Sequence, residues 1–214
     1  AKESAASAKL TGSQPEVPGR VVALKAEERG MLHTVSWHRD VASAGYIEIT
    51  YDQAPWSACA ASFQERHGLM LNPLLNLMAC RLARLAREMP HANATIVDER
   101  RFEYDVVNLG FTIQAGDVLY LAVVRDACKL DDLGFVNRLA GLQRRAAIHK
   151  LGPDETTGAT ISFSSMSRWN VSRHIPILPP QTSVIIAHAV GADGAAMLGA
   201  SYDHRVLNGA HVTK

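Results

Sequence analysis

The strongest constraint on this sequence is one amphipathic segment between Asn72 and Pro90. Asn72 is a good N-cap, Pro73 suits the first helical position because its missing N–H costs nothing there, and Pro90 ends the pattern. The apolar side chains share one arc of the helical wheel, opposite the charged ones: Leu74, Leu75, Met78, Leu82, Leu85 and Met89. The segment therefore predicts a helix that covers a hydrophobic core, with its methionines as packing residues rather than a cofactor-binding set.

The rest of the chain alternates between helical and strand patterns. Two further helices are predicted over 21–37 and 133–151. Period-2 patterns predict strands over 46–51, 104–113, 118–124, 159–165, 183–190 and 196–202. This order predicts one α+β domain at 21–214, built on a sheet with helices on a face. Residues 1–20 are rich in Ala, Ser, Pro and Gly and predict a linker or flexible arm.

Composition and charge exclude several classes of function. Lys plus Arg number 22 against 21 Asp plus Glu, and the net charge of +1 gives no strong field for nucleic acid or an anionic membrane. No apolar run approaches the roughly 18 residues of a membrane span, so we expect a soluble, cytoplasmic protein. Three widely spaced cysteines argue against a disulfide framework. The nine histidines show no metal-binding spacing, so no metal is expected.

A histidine at the end of the last predicted strand is the main chemical candidate. His204 is followed by a turn that contains Asn208 and Gly209, so it stands on a rigid support rather than a mobile loop. A neutral imidazole at such a place suits a general base that takes a proton from a thiol or hydroxyl. A partly buried structural histidine in a polar turn is the more common source of such a pattern, and spacing alone leaves both interpretations open.

Four motifs occur in the order found in one known family. They are Pro90-His91-Ala92-Asn93-Ala94, Val107-Asn108-Leu109-Gly110, Ile161-Ser162-Phe163-Ser164-Ser165-Met166-Ser167 leading to Ile175-Pro176-Ile177-Leu178-Pro179-Pro180-Gln181, and Asp203-His204-Arg205-Val206-Leu207-Asn208-Gly209-Ala210. Together they resemble the catalytic core of the 2-oxo acid dehydrogenase acyltransferases, whose hallmark is Asp-His-Arg-x-x-Asp-Gly-Ala. The resemblance runs from about Trp37 to the end of the chain. It implies the fold of chloramphenicol acetyltransferase, a mixed β-sheet with helices packed on it.

The resemblance also implies an activity and a catalytic set. The activity is transfer of an acyl group between coenzyme A and a dihydrolipoyl-type thiol. His204 matches the family's general base, and Ser164 matches the hydroxyl that stabilises the oxyanion of the tetrahedral intermediate. Asn208 stands where the family usually has an aspartate that pairs with an arginine, so this position keeps its shape and loses its charge.

Coenzyme and partner predictions follow from the same resemblance. Contacts to the coenzyme are assigned to Arg205, Asn93 and Gly209, which lie in the matched motifs. The arginine pairs at 100–101 and 144–145 suit phosphate geometry, although solvated surfaces explain them as well. In the family, the histidine and the serine come from neighbouring subunits of a trimer, and trimers build hollow cores. We therefore expect at least a homotrimer, with lipoyl domains and other 2-oxo acid dehydrogenase components as partners.

Some departures from the family pattern keep other functions open. Residues 114–119 replace the family's Pro-Arg-Gly-Leu turn, Ala122 stands where a proline is usual, and the final helix that normally follows the last motif is missing from this sequence. One alternative is a structural homologue that forms or decorates a multienzyme core without catalysis. Another is an acyltransferase that acts on a different acceptor, such as an amine, a hydroxyl or a carrier-protein thiol.

Overall fold

A computed structural model describes residues 17–214. The helices and strands in chain order are α1 (Ala26–Asp40), β1 (Ala44–Tyr51), α2 (Ala54–His67), α3 (Leu74–Glu88), β2 (Ala94–Val97), β3 (Arg100–Glu103), β4 (Leu109–Ala115), β5 (Val118–Val124), α4 (Asp132–Ala147), β6 (Ile161–Ser165), β7 (Val184–Val190), β8 (Ala196–Asp203) and α5 (Gly209–Val212). Of the predicted arm, residues 1–16 lie outside the described residues, and 17–20 are exposed without helix or strand. The boundary at residue 20 stays a prediction.

Six of the strands form one mixed sheet in the order β1-β8-β7-β6-β4-β5. Strand β6 runs parallel to β4 and β7, and the other pairs are antiparallel. Strands β2 and β3 form a separate antiparallel ribbon. The predicted α+β architecture is therefore confirmed. Because β8 runs opposite to β7, and β7 runs parallel to β6, the C-terminal ends of β6 and β8 lie at opposite ends of the sheet.

The hydrophobic core lies between one face of this sheet and helices α3 and α4. Phe111 on β4 and Phe163 on β6 stack there with their ring centroids 5.6 Å apart, beside the fully buried Leu139 of α4. Burying each such side chain contributes about 1.5–3 kcal/mol. Since side chains alternate along a strand, the adjacent residues Thr112 and Ser164 point to the opposite face of the sheet.

Helix α3 forms where its pattern predicts, but its most buried face is not the one that the helical wheel indicates. It begins at Leu74, so the N-cap is Pro73 rather than the predicted Asn72, although the Leu74 N–H donates to Asn72 Oδ1 at 2.9 Å. The most buried stripe consists of small residues, together with Met78: Ala79, Cys80, Ala83 and Ala86. Small side chains allow the helix backbone to approach the core closely, so leucines such as Leu75 and Leu82 pack beside that stripe rather than in its centre.

Three predicted boundaries need correction. The first helix begins at Ala26 rather than 21, where the Glu28 carboxylate accepts from the Lys25 N–H at 2.6 Å. The strand predicted over 104–113 begins only at Leu109. The helix predicted over 133–151 ends at Ala147, because His149 adopts a left-handed φ of 54° and closes the last turn.

Sequence patterns missed helix α2 and the ribbon of β2 and β3. In α2 only Ala60 and Phe63 are buried, so its apolar signal is weak. All four residues of β3 are exposed, and no alternation marks it. Within residues 17–214, no helix combines the length and the apolar character needed to cross a bilayer.

Candidate active site

His204 lies directly after the last residue of β8, at one end of the sheet. Its backbone N–H donates to the Ser43 carbonyl at 2.8 Å, and the Tyr202 hydroxyl lies 3.2 Å from its Nε2. Strand β1 passes close by at Gly45, where a Cβ atom would lie 2.7 Å from Tyr202 Cζ and 2.9 Å from His204 Cδ2. The imidazole is exposed in the single chain, and the lack of a side chain at Gly45 leaves room for it.

The turn that carries His204 is held by Asp203, which is buried. The Asp203 carboxylate accepts from the backbone N–H of Arg205 at 3.0 Å and from its Nε at 2.9 Å. The Asp203 carbonyl accepts from the N–H groups of Val206 and Leu207, both at 2.9 Å. These bonds fix the backbone on both sides of His204. They also raise the pKa of the Arg205 guanidinium, first through its side-chain hydrogen bond with Asp203.

Asn208 does not pair with an arginine as the resemblance implied. Its Oδ1 accepts from the His211 N–H at 3.0 Å and so caps α5, while Arg205 pairs with Asp203 instead. The ion pair with Asp203 also uses much of the hydrogen-bonding capacity of the Arg205 guanidinium, which was predicted to contact the coenzyme. Gly209 begins α5 and is half-buried, and a Cβ there would lie 3.3 Å from Ile47 Cδ1, so it allows α5 to sit close to β1.

Asn93 has a structural role that the sequence did not reveal. It is buried, and its amide Nδ2 donates to the carbonyls of Tyr104 at 3.2 Å and Val106 at 2.9 Å. Its Oδ1 accepts from Thr160 Oγ1 at 2.5 Å. Both donors of the amide are therefore used within the fold, where Asn93 anchors the 104–106 segment, and its contact with the coenzyme stays a prediction.

Ser164 lies on β6 near the other end of the sheet and is 8% exposed. Thr112 Oγ1 donates to its hydroxyl oxygen at 3.0 Å from the neighbouring strand β4. His174, in the segment between β6 and β7, places its Nε2 at 3.3 Å from the same oxygen. Burial lowers the pKa of His174, which favours a neutral imidazole beside the serine. The serine hydroxyl is thus fixed from two sides within one chain.

One chain does not bring His204 and Ser164 together. Ser164 pairs with Ala187 on β7, and Ala187 pairs with Gly199 on β8. His204 follows Gly199 by five positions, so the two residues lie about 16 Å apart along the strands and about 10 Å apart across them. A base and an oxyanion donor that act on one thioester must both lie within hydrogen-bond reach of it. These two residues meet that condition only if they come from different copies of the chain.

The other sequence predictions fall on the surface or on local contacts. His67 packs against Phe63 with ring centroids 4.4 Å apart, and His149 Nδ1 lies 3.0 Å from the Tyr120 hydroxyl. Arg101 pairs with Glu103, and Arg145 pairs with Glu155, so one arginine of each proposed phosphate-binding pair already has a partner. Among residues 17–214, no three histidine, cysteine or carboxylate side chains converge as a metal site requires, and the expectation of no metal stays a prediction.

Comparison with known proteins tests the family resemblance of the sequence. Residues 58–214 match the family model of the 2-oxoacid dehydrogenases acyltransferase catalytic domain. The chain belongs to this family. The acyltransferase motif with His204 and the strand with Ser164 both fall inside the matched residues.

One curated relative and two solved structures show what this chain is similar to. The dihydrolipoyllysine-residue acetyltransferase component of the pyruvate dehydrogenase complex of Mycobacterium bovis is 27% identical over 169 residues, which are 70% of this chain and 30% of the relative. The chain therefore spans about a third of the length of that relative. A structure of Azotobacter vinelandii dihydrolipoamide acetyltransferase has a TM-score of 0.79 at 21% identity, covering 94% of this chain and 93% of that one. Chloramphenicol acetyltransferase has a TM-score of 0.55 at 13% identity, covering 89% and 91%, which confirms the predicted fold.

Sequence reasoning missed three side chains that shape the site. Thr112 and His174 contact Ser164 from other parts of the chain, and no local pattern marks them. Asp203 stood in the quoted motif, but only the structure shows that its carboxylate holds the turn. The alternation of Thr112 and Gln114 with apolar residues along β4 was the signal available.

Proposed function

We propose that this protein transfers an acyl group between coenzyme A and a dihydrolipoyl thiol, at a site formed by two copies of the chain. The observation that carries the proposal is the separation of His204 and Ser164 at opposite ends of one sheet. Each is held in place by its own neighbours, and neither has its partner within the chain. Family membership supports this chemistry for the pair.

In the proposed reaction, His204 acts first as a base. A free thiol has a pKa of roughly 8.5, so little thiolate is present at pH 7 without one. The imidazole of His204 takes the thiol proton as the sulfur attacks the thioester carbonyl, and a new C–S bond forms. The oxyanion of the tetrahedral intermediate accepts a hydrogen bond from the Ser164 hydroxyl of the neighbouring copy. The intermediate then collapses, the original C–S bond breaks, and the leaving thiolate recovers the proton from His204.

The exposed apolar surface of α1 supports an assembly of several copies. None of the 15 residues of this helix is buried in the single chain, and Met31, Leu32 and Val35 are exposed. A helix of this length is marginally stable in water unless an apolar face packs on something. The preceding segment also exposes Val21 and Val22. We propose that neighbouring copies in a homotrimer cover these residues, and that the trimer takes part in a 2-oxo acid dehydrogenase complex with lipoyl domains as substrates.

The direct test measures acyl transfer from acetyl-coenzyme A and longer acyl-coenzymes A to dihydrolipoamide. We expect turnover by the native protein and a loss of about 10²–10⁴-fold in kcat for His204→Ala. His67→Ala is the matched control, since His67 is an exposed histidine at the end of α2. Light scattering of the same samples reports the oligomeric state.

The outcomes separate the alternatives. A folded oligomer without turnover for any acyl chain would contradict the proposal and favour a structural component of a multienzyme core. Turnover with an amine, a hydroxyl or a carrier-protein thiol, but not with dihydrolipoamide, would favour a different acceptor. A stable monomer with full activity would contradict the shared site.

A further inference from the structure

The hydroxyl of Ser164 has more hydrogen-bonding partners within the chain than an oxyanion donor strictly needs. A serine hydroxyl has one proton to donate and two lone pairs that accept. Thr112 Oγ1 donates to Ser164 Oγ at 3.0 Å and occupies one lone pair. The second contact is His174 Nε2 at 3.3 Å, and its effect depends on which ring nitrogen carries the proton.

If His174 Nε2 were an acceptor, it would take the Ser164 proton away from the substrate. If Nε2 carries the proton, it donates to Ser164 and fills the second lone pair. The other ring nitrogen decides between these two cases. Nδ1 of His174 is buried and has no hydrogen-bond partner among residues 17–214. A buried N–H without an acceptor is rarer in folded proteins than a buried lone pair without a donor, so the proton belongs on Nε2.

The position of His174 is held from two directions by strand β1. The Tyr46 hydroxyl, whose single proton lies nearest the Glu48 carboxylate at 3.0 Å, is 3.3 Å from the His174 carbonyl oxygen. The neighbouring Arg173 forms an ion pair with Glu48, and its Nε lies 2.7 Å from the Glu48 carboxylate. The backbone at residues 173 and 174 is therefore held against strand β1. This contact keeps the His174 ring beside Ser164.

We propose that His174 is a positioning residue that fills the second lone pair of Ser164 and so directs the serine proton towards the oxyanion of the substrate. With both lone pairs occupied by Thr112 and His174, the single Ser164 proton has no acceptor within residues 17–214. It is free for an acceptor that arrives with the substrate. Such preorganisation avoids a reorientation of the hydroxyl when the charge develops. The inference rests on the proposed function, because it requires Ser164 to be the oxyanion donor.

A double-mutant cycle in the full chain tests this role. His174→Phe keeps an aromatic ring and removes the donor, whereas His174→Gln keeps an N–H that reaches towards Ser164. We expect His174→Phe to lower kcat about tenfold with the KM for acetyl-coenzyme A unchanged, and His174→Gln to recover most of that loss. In a Ser164→Ala background, His174→Phe should change kcat no further, since the group through which it acts is absent. Equal losses in both backgrounds would show a general structural role and overturn the proposal.

A second measurement is independent of turnover. The ¹⁵N chemical shifts of histidine-labelled protein at pH 7 report the tautomer of His174, which is assigned by its absence in His174→Phe. Protonation at Nε2 supports the inference, and protonation at Nδ1 overturns it. If Ser164→Ala lowers kcat while His174→Phe does not, the inference fails and the proposed function stands. If the Ser164→Ala variant transfers the acyl group as fast as the native enzyme does, the proposed role of Ser164 fails as well.

Discussion

The two ends of the six-stranded sheet carry the two halves of the site in different ways. At the end of β8, His204 is exposed, and hydrogen bonds to its backbone and to the adjacent Asp203 hold the turn. At the end of β6, Ser164 is buried and its side-chain oxygen is itself fixed by Thr112 and His174. We call these the base end and the donor end. In the proposed mechanism, this difference means that the oxyanion donor is preorganised inside one chain, whereas the base is presented outward to a neighbouring copy.

Removing the hydroxyl at the donor end should have the largest effect on catalysis. We expect Ser164→Ala to lower kcat by about 10²–10³-fold, because it removes a preorganised oxyanion donor. It should also lower the free energy of unfolding by about 1 kcal/mol, since the two hydrogen bonds from Thr112 and His174 lose their acceptor. Steady-state kinetics and urea unfolding measure both effects. Ser62→Ala, in the exposed part of α2, is the control. A loss of stability without loss of kcat would mean that Ser164 only packs the sheet.

At the base end, the largest structural effect should come from Asp203. We expect Asp203→Ala to lower the free energy of unfolding by about 3 kcal/mol, because a buried carboxylate and its hydrogen bonds to Arg205 are lost. Transfer activity should fall with it, as His204 loses its fixed turn. Unfolding is compared at one protein concentration, with the exposed Asp117→Ala as control. Equal stabilities for the two variants would show that the turn does not depend on this carboxylate.

Acid should weaken the donor end through His188, which is buried on β7 between Ser165 and Gln53. Burial lowers its pKa to about 4, with a smaller contribution from His174. Because the unfolded chain binds this proton more readily, the stabilisation is complete above about pH 6.5 and is lost as the pH falls towards 4, by up to about 3 kcal/mol. We expect His188→Gln to flatten the pH dependence of unfolding over this range. The exposed His67→Gln should keep the slope of the native protein. An unchanged slope in His188→Gln would contradict the assignment.

A smaller effect is expected from crowding His204 at the base end. A Cβ at Gly45 would lie 2.7 Å from Tyr202 Cζ and 2.9 Å from His204 Cδ2, closer than real Cβ contacts allow, so Gly45→Ala must displace this pair of contacting rings. We expect kcat to fall about tenfold, because a small misplacement of a catalytic group is costly. Gly30→Ala is the control, because a Cβ at Gly30 would have nothing within 4 Å. Gly116 is not used, because its positive φ would strain any added side chain. Full activity of Gly45→Ala would show that the ring position is not critical.

The sequence predicted much of the fold because its signals are local. Helix α3 has a proline at each end and a strong apolar pattern, and strands β5 and β7 are apolar runs rich in valine, isoleucine or leucine between turns. Helix α2 was missed since only two of its residues are buried. The small-residue face of α3 was also missed, because a hydrophobicity pattern favours leucine over alanine at the closest contact.

The candidate site was only partly predictable, because several of its contacts join residues that are distant in the sequence. His204 and Ser164 lie in motifs that carry a family resemblance, so they were found. Thr112 is 52 positions from Ser164 along the chain and meets it only through the pairing of β4 with β6. Asn93 was assigned to the coenzyme because it stands in a motif, although its amide is committed to the fold. A motif identifies residues that matter without stating whether they bind substrate or hold the chain.

The shared site is tested most directly by mixing two inactive variants. His204→Ala and Ser164→Ala chains, each with a different affinity tag, are co-expressed, and the assemblies that carry both tags are assayed for acyl transfer to dihydrolipoamide. In a trimer that carries both tags, one interface of about three has a native His204 from one copy and a native Ser164 from the next. The account predicts recovery of about a third of native activity, although each variant alone is nearly inactive. A mixed assembly no more active than its separate parents would contradict it.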